Sequence, residues 1–226
     1  MAYRKLVIFD MDGLMFDTEE LNFRTYSAAA REFGYTLPRE TFCRLLGGSR
    51  ERNNGILREA MGAGYPLEQV AERNRAAFSA YIEANGVPVK PGLYELLRYL
   101  KEKKILCAVA SSSPEASVRR NLKSAGLDDT FDRLYYREKV ADVKPSPEIF
   151  LGPCRELGVA PGEALVLEDS ENGILAAHRA GIPVVCVPDM KYPAPEYATL
   201  TLAICGSLSQ TVPYMEQTEN DGTGNV

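Results

Sequence analysis

Residues 5–9 bring Leu6, Val7, Ile8 and Phe9 together in a short run of strand-forming residues, with acidic residues directly behind it. A run that is apolar at every position, rather than at alternate ones, marks a strand buried on both faces. Similar runs recur at 105–110, 164–167 and 183–187, with weaker ones at 131–136 and 200–205. Helical segments lie between them. Residues 93–103 carry apolar side chains at helical spacing, 147–157 is closed by Gly158, and 171–180 is closed by Gly181. Ser113, Pro114 and Glu115 read as a cap followed by proline at the first helical position, with Gly126 ending that helix. Strands alternating with helices predict an α/β fold with a Rossmann-like parallel sheet core, covered on both faces.

One stretch, 17–86, breaks the alternation. It has no strand-like run, and Phe23, Tyr26, Ala30 and Phe33 fall at helical spacing. Gly34, Pro38, Gly47, Gly48 and Pro66 divide it into four expected helices. Its nine basic residues are all arginine, whereas the rest of the chain mixes in lysine. The segment reads as an α-helical cap domain inserted after the first strand, leaving 1–16 and 87–226 to form the catalytic core. Residues 216–226 are polar and glycine-bearing with no period, and are expected to form a frayed tail.

Several function classes drop out. A net charge of −5 argues against a general nucleic-acid binder, although a local patch can still meet an anionic substrate. The five cysteines are scattered, odd in number and without a C-x-x-C pair, as expected of reduced thiols in a cytoplasmic protein. The run Leu6–Phe9 is too short for a signal peptide, and no segment has the apolar length to span a bilayer. His178 is the single histidine, which excludes phosphatases built on a histidine nucleophile with histidine partners. Neither C-x5-R nor G-x4-G-K-[ST] occurs. The chemistry must rest on carboxylates, hydroxyls and lysines.

Ligands of open parallel sheets bind beyond the carboxyl ends of the strands. Asp10, Met11, Asp12 and Gly13 follow the first strand; Ser111, Ser112 and Ser113 follow the run at 105–110. Glu168, Asp169 and Ser170 follow the run at 164–167, and Lys144 precedes the helix leading into it. Bare carboxylates at Asp10, Glu168 and Asp169 would repel one another but suit a hard cation such as Mg²⁺, which also offsets the charge of a phosphate. Asp10 can then act as nucleophile and form an aspartyl-phosphate. Asp12, ahead of a glycine that permits a sharp turn, can protonate the leaving oxygen and later take a proton from water. Ser111 and Lys144 can hold the phosphoryl oxygens.

These residues, in this order, resemble the four motifs of the haloacid dehalogenase (HAD) superfamily, in its phosphatase and β-phosphoglucomutase-like branch with a helical cap. The flanking text resembles it too: FDMDGLMFDTE at 9–19, VKPSPEIF at 143–150 and LEDSENGI at 167–174. The resemblance covers nearly the whole chain except its C-terminal tail. It implies Asp10 as the nucleophile, Asp12 as the general acid and base, and Ser111 and Lys144 as phosphate ligands. It implies Asp10, the Asp12 backbone carbonyl, Glu168 and Asp169 as Mg²⁺ ligands. It further implies that the cap closes over the site and selects substrate, and that the cap loop at Gly47, Gly48, Ser49 and Arg50 faces the site. Gly47, Arg50 and Ser112 are the expected substrate-binding residues. Taken alone, that loop is a helix break, Ser113 a helix cap, and Asn172 with Gly173 the opening of a helix.

The expected activity is Mg²⁺-dependent hydrolysis of a small phosphorylated metabolite, a sugar or polyol phosphate. The alternative is a β-phosphoglucomutase-like mutase. Mutase members carry a histidine shortly after the first motif and a lysine in the cap loop, where this chain has Asn22 and Leu46. Carbon–halogen cleavage is disfavoured by Asp12 and the acidic pair, which the dehalogenases do not need. A silent binding protein on the same scaffold is disfavoured because every catalytic position is filled.

Overall fold

The computed structural model describes residues 2–217, so the expected tail falls outside the described residues from 218 onward. In chain order the elements are β1 (Ala2–Tyr3), β2 (Leu6–Phe9), α1 (Thr18–Glu32), α2 (Arg39–Leu45), α3 (Arg50–Met61) and α4 (Leu67–Asn85). Then come α5 (Leu93–Glu102), β3 (Leu106–Ala110), α6 (Glu115–Ser124), β4 (Arg133–Tyr135), α7 (Glu148–Leu157) and β5 (Ala164–Glu168). The last are α8 (Glu171–Arg179), β6 (Val184–Cys186), α9 (Pro195–Ala198), β7 (Ala203–Ile204) and β8 (Glu216–Gln217). The chain divides into two compact units, one of residues 2–16 and 89–217, the other Asp17–Pro88.

The first unit is built on a six-stranded parallel sheet in the order β4-β3-β2-β5-β6-β7. Every residue of β2 and β5 is buried, which explains the uninterrupted apolar sequence of β2 and of Ala164–Leu167 in β5. The flanking helices present matching stripes. In α5, Leu93, Leu96, Leu97 and Leu100 are buried at helical spacing; in α8, Ile174, Ala176 and Ala177 are. The chain runs from β2 outward to β3 and β4 on one side, then crosses to β5, β6 and β7 on the other. That reversal opens a crevice at the carboxyl end of β2. The two edge strands, β4 and β7, are shorter than the runs that predict them, as is usual at a sheet edge. Part of the segment expected to fray is ordered: Tyr3 of β1 pairs with Glu216 of β8, antiparallel.

The Asp17–Pro88 unit is four helices, with α1 against α4 and α2 against α3. Ala29 and Ala30 of α1, Phe42 of α2, Leu57 of α3 and Val70 and Ile82 of α4 are buried. A polar link crosses it. The Asn74 amide donates to Asn22 Oδ1 (2.8 Å), and the Thr25 hydroxyl donates to Asn74 Oδ1 (2.6 Å). Gly47 and Gly48 fall between α2 and α3, where Ser49 caps α3 by accepting from the Arg52 N–H (3.2 Å). Among the described residues, no helix is long and apolar enough to cross a membrane.

Burial pushes the Cys107 thiol up to about 12, aided by Asp132, and also raises Cys186 to about 12 and Cys154 to about 11. Cys205 is raised by burial as well. A thiol whose pKa lies far above neutral supplies almost no thiolate. Iodoacetamide near neutral pH should therefore alkylate only Cys43, which is half-buried, and reach all five cysteines after unfolding. Intact-mass measurement reads the difference.

Candidate active site

Phe9 of β2 pairs with Val109 of β3 and Leu167 of β5. The register therefore delivers Asp10, Ser111 and Glu168 to one edge of the sheet. The ladder continues up to the candidate site residues: the Asp10 N–H donates to the Leu167 carbonyl (3.0 Å) and the Ser111 N–H to the Tyr135 carbonyl (3.0 Å). Beyond Asp10 the chain turns back on itself. Met15 and Phe16 donate to the Met11 carbonyl (3.0 and 3.1 Å), and Gly13 donates to the Phe16 carbonyl (2.9 Å). Gly13 has a φ of +89°, and a Cβ there would run into Asp169 Oδ2. Only glycine lets this turn pass so close to the acidic pair.

Lys144 ties the carboxylates together. Its ammonium is almost wholly buried and donates to Asp10 Oδ1 and to Glu168 Oε1, the latter at 2.7 Å. The Glu168 side chain is fully buried, and its Oε2 accepts from the Asp169 N–H (2.8 Å), the Ser170 N–H (2.7 Å) and the Ser170 hydroxyl (2.9 Å). Ser170 also caps α8, accepting from the Gly173 N–H at 3.1 Å. A Cβ on Gly173 would overlap the Glu168 carboxylate, so the glycine makes room for it.

Asp10, Glu168 and Asp169 each place an oxygen within 4.8 Å of the other two. Burial pushes the Asp10 carboxyl up to about 8, opposed by Lys144 and reinforced by Glu168 and Asp12. Asp169 is raised well above the usual carboxylate range by burial, then by Glu168 and Asp10. Burial pulls Lys144 down, but Asp10 and Glu168 outweigh it and leave the ammonium's proton held more tightly than usual. One buried ammonium does not offset three carboxylates, so the cluster favours an additional cation. Its donors are all hard oxygens, which fit a hard divalent ion such as Mg²⁺.

Asp12 faces the serine run. Its Oδ2 accepts from the Ser113 hydroxyl at 2.7 Å, while the Ser111 hydroxyl approaches the same oxygen at 3.4 Å. This corrects the expectation that Ser113 caps α6. The helix begins at Glu115, the position before it is Pro114, and the Glu115 N–H donates to Glu138 Oε2 (3.0 Å) rather than to a serine. The hydroxyl is spent instead on a carboxylate 101 residues away in sequence. Ser112 adjoins the cluster, and its carbonyl accepts from Arg137 Nε (3.0 Å).

Asp10, Asp12, Ser111, Lys144, Glu168 and Asp169 thus lie at one edge, as the sequence predicts. Gly47 and Arg50 belong to the Asp17–Pro88 unit, where Gly47 takes a φ of +64° and the exposed Arg50 guanidinium is paired with Glu68 at 2.7 Å. His178 is exposed on α8. Sequence reasoning missed the roles of Ser113, Ser170 and Gly173. It also missed a partly buried ion pair between Lys90 and Asp189, whose carboxylate approaches Gly13 and raises Asp169 further. Only Ser170 carried a local signal, as a serine at the start of a helix.

Residues 7–187 match the haloacid dehalogenase-like hydrolase family. The chain is 35% identical over 180 residues to the phosphorylated carbohydrates phosphatase of Thermotoga maritima, covering 78% of this chain and 81% of the relative. The crystal structure of CbbY from Rhodobacter sphaeroides in complex with phosphate superposes with a TM-score of 0.73 at 29% identity, over 92% of this chain and 96% of that one. β-Phosphoglucomutase from Clostridium difficile superposes with a TM-score of 0.68 at 25% identity, over 91% and 92% of the two chains.

Gly173→Ala should force the Glu168 carboxylate away from Lys144 and Ser170. A loss of about 1–3 kcal/mol in unfolding free energy is expected, the usual cost of overpacking. Gly55→Ala on α3, where nothing lies within 4 Å of the added methyl, should instead gain up to about 1 kcal/mol from helix propensity. Urea unfolding of the two variants measures both, and equal behaviour would contradict the cradle at Glu168.

Proposed function

This chain belongs to the haloacid dehalogenase-like hydrolase family, and from that footing we propose that it is a Mg²⁺-dependent phosphatase acting on a small sugar or polyol phosphate. The observation that carries the reading is the buried cluster itself: Asp10 at the end of β2, bonded to Lys144, with Glu168 and Asp169 oxygens within 4.8 Å. In this reading Asp10, Glu168, Asp169 and the Asp12 carbonyl hold the ion. Mg²⁺ bound there supplies positive charge that offsets the phosphoryl oxygens and the three carboxylates. Asp10 attacks phosphorus, and the bond to the leaving alcohol breaks as Asp12 gives that oxygen a proton. Water then attacks the aspartyl-phosphate, Asp12 takes its proton, and inorganic phosphate leaves. Lys144 and Ser111 steady the equatorial oxygens.

The substrate class draws support from the Thermotoga maritima relative, named for phosphorylated carbohydrates. Gly47, Arg50 and Ser112 are proposed as substrate-contacting residues, and the cytoplasm as the location. The second reading, a sugar-phosphate mutase, draws on the Clostridium difficile neighbour's name. Against it, Asn22 stands where the mutase pattern has histidine. Its side-chain oxygen is engaged by Asn74 at 2.8 Å, and an amide cannot replace an imidazole in proton transfer.

A panel of sugar and polyol phosphates, assayed with Mg²⁺ and with EDTA, tests both readings. Phosphate release that needs Mg²⁺ and falls at least ~1000-fold in Asp10→Asn is expected, the scale seen when a catalytic nucleophile is removed. Mg²⁺ should also raise the melting temperature of the wild type and do so less in Asp169→Asn, independently of turnover. Isomerised sugar phosphate with no net phosphate release would replace the hydrolase reading with the mutase one.

A further inference from the structure

The phosphatase reading gives proton transfer to Asp12, and the structure does not leave that carboxylate to orient itself. The Ser113 hydroxyl donates to Oδ2 at 2.7 Å. A carboxylate with one oxygen so engaged is fixed in rotation about its Cβ–Cγ bond, and the other oxygen, Oδ1, points in one direction. Ser113 is itself mounted rigidly. Its N–H donates to the Ser111 hydroxyl (3.0 Å), and its carbonyl accepts from the Arg137 N–H (3.2 Å). Arg137 also grips the preceding residue through Nε and the Ser112 carbonyl (3.0 Å). Pro114 follows, and α6 begins one residue later. The hydroxyl therefore sits on a fixed support of the kind that holds a catalytic group in place.

The direction of the bond is informative. A capping serine uses its oxygen as an acceptor toward helix N–H groups. Here the Ser113 oxygen makes no bond to α6 and its proton points to Asp12. Ser111 approaches the same carboxylate oxygen only at 3.4 Å, which leaves its hydroxyl available to a phosphoryl oxygen.

We propose that Ser113 is a positioning residue that holds Asp12 for proton transfer through Oδ1; this rests on the phosphatase reading above. In the first step an Asp10 oxygen forms a bond to phosphorus and the ester P–O bond breaks. The electron pair stays on the leaving oxygen, which takes the proton from Asp12 Oδ1. In the second step a water oxygen bonds to phosphorus, its proton passes to Asp12 Oδ1, and the bond to Asp10 breaks. Ser113 keeps its own proton throughout.

The test exploits leaving groups. An alkyl oxygen needs a proton as it departs, whereas p-nitrophenolate does not, and kcat/KM reports the first step. Against glycerol phosphate, Ser113→Ala should lose kcat/KM by ~10–100-fold, a part of the ~100–10,000-fold that general acid catalysis supplies, with the loss in kcat rather than KM. Against p-nitrophenyl phosphate the same variant should stay within about twofold. Ser113→Thr, which keeps the hydroxyl, should recover most of the loss. Asp12→Asn should show the same selectivity at larger size, and melting temperatures confirm that each variant folds. Equal losses on both esters, a change in KM alone, or no recovery in Ser113→Thr would overturn the proposal. If Asp12→Asn is selective and Ser113→Ala is not, the inference fails and the phosphatase reading stands. A wild type that cleaves neither ester overturns both.

Discussion

The buried ammonium of Lys144 is the contact on which the rest of the site depends. It joins Asp10, at the end of the central strand, to Glu168, at the end of its neighbour. Glu168 in turn receives two backbone N–H groups and a hydroxyl from the start of α8. Strand, loop and helix are thereby fastened to a single charge cluster. Removing one partner from such a cluster leaves the others buried and uncompensated, which costs far more than the pair contributes when intact. The cluster is thus a structural joint, and its surplus of carboxylates suits it to a cation.

The parallel sheet explains why these groups meet. Residues far apart in the chain become neighbours because Phe9 is level with both Val109 and Leu167. Each strand then ends at the same height, and whatever follows it stands at a common rim. The close approach of Gly13 to Asp169 completes the geometry, since any side chain there would push the first loop off the acidic pair.

What was legible in the sequence followed from this arrangement. The buried strands β2, β3 and β5 announce themselves as apolar runs, so the residues immediately behind them could be picked out by position alone. Asp10, Ser111 and Glu168 needed no three-dimensional information. Ser113 was misread because the local rule for a hydroxyl ahead of proline is a good one, and nothing nearby reveals a carboxylate 101 residues away competing for it. Gly173 was read as a helix opening, which is true but incomplete. Its need for no side chain arises only when Glu168 folds against it. The Lys90–Asp189 pair was likewise invisible, being 99 residues apart with neither member in a motif. The edge strands β4 and β7 were overestimated in length because a neighbour on one side only ends pairing early.

The chain leaves the sheet unit and returns to it at adjacent points. Phe16 and Val89 form an antiparallel bridge, and the Asp17 N–H donates to the Pro88 carbonyl at 2.8 Å. To the sheet, the 72 residues of Asp17–Pro88 are therefore topologically equivalent to a hairpin turn. The strand register and the length of the excursion are decoupled, because loop-closure entropy grows only slowly with length once the ends are pinned. Such a junction works as a socket: helices can be added, removed or exchanged beyond it while β2 and β3 stay in register, so the inserted unit can diversify without disturbing the sheet or the carboxylate cluster at its rim.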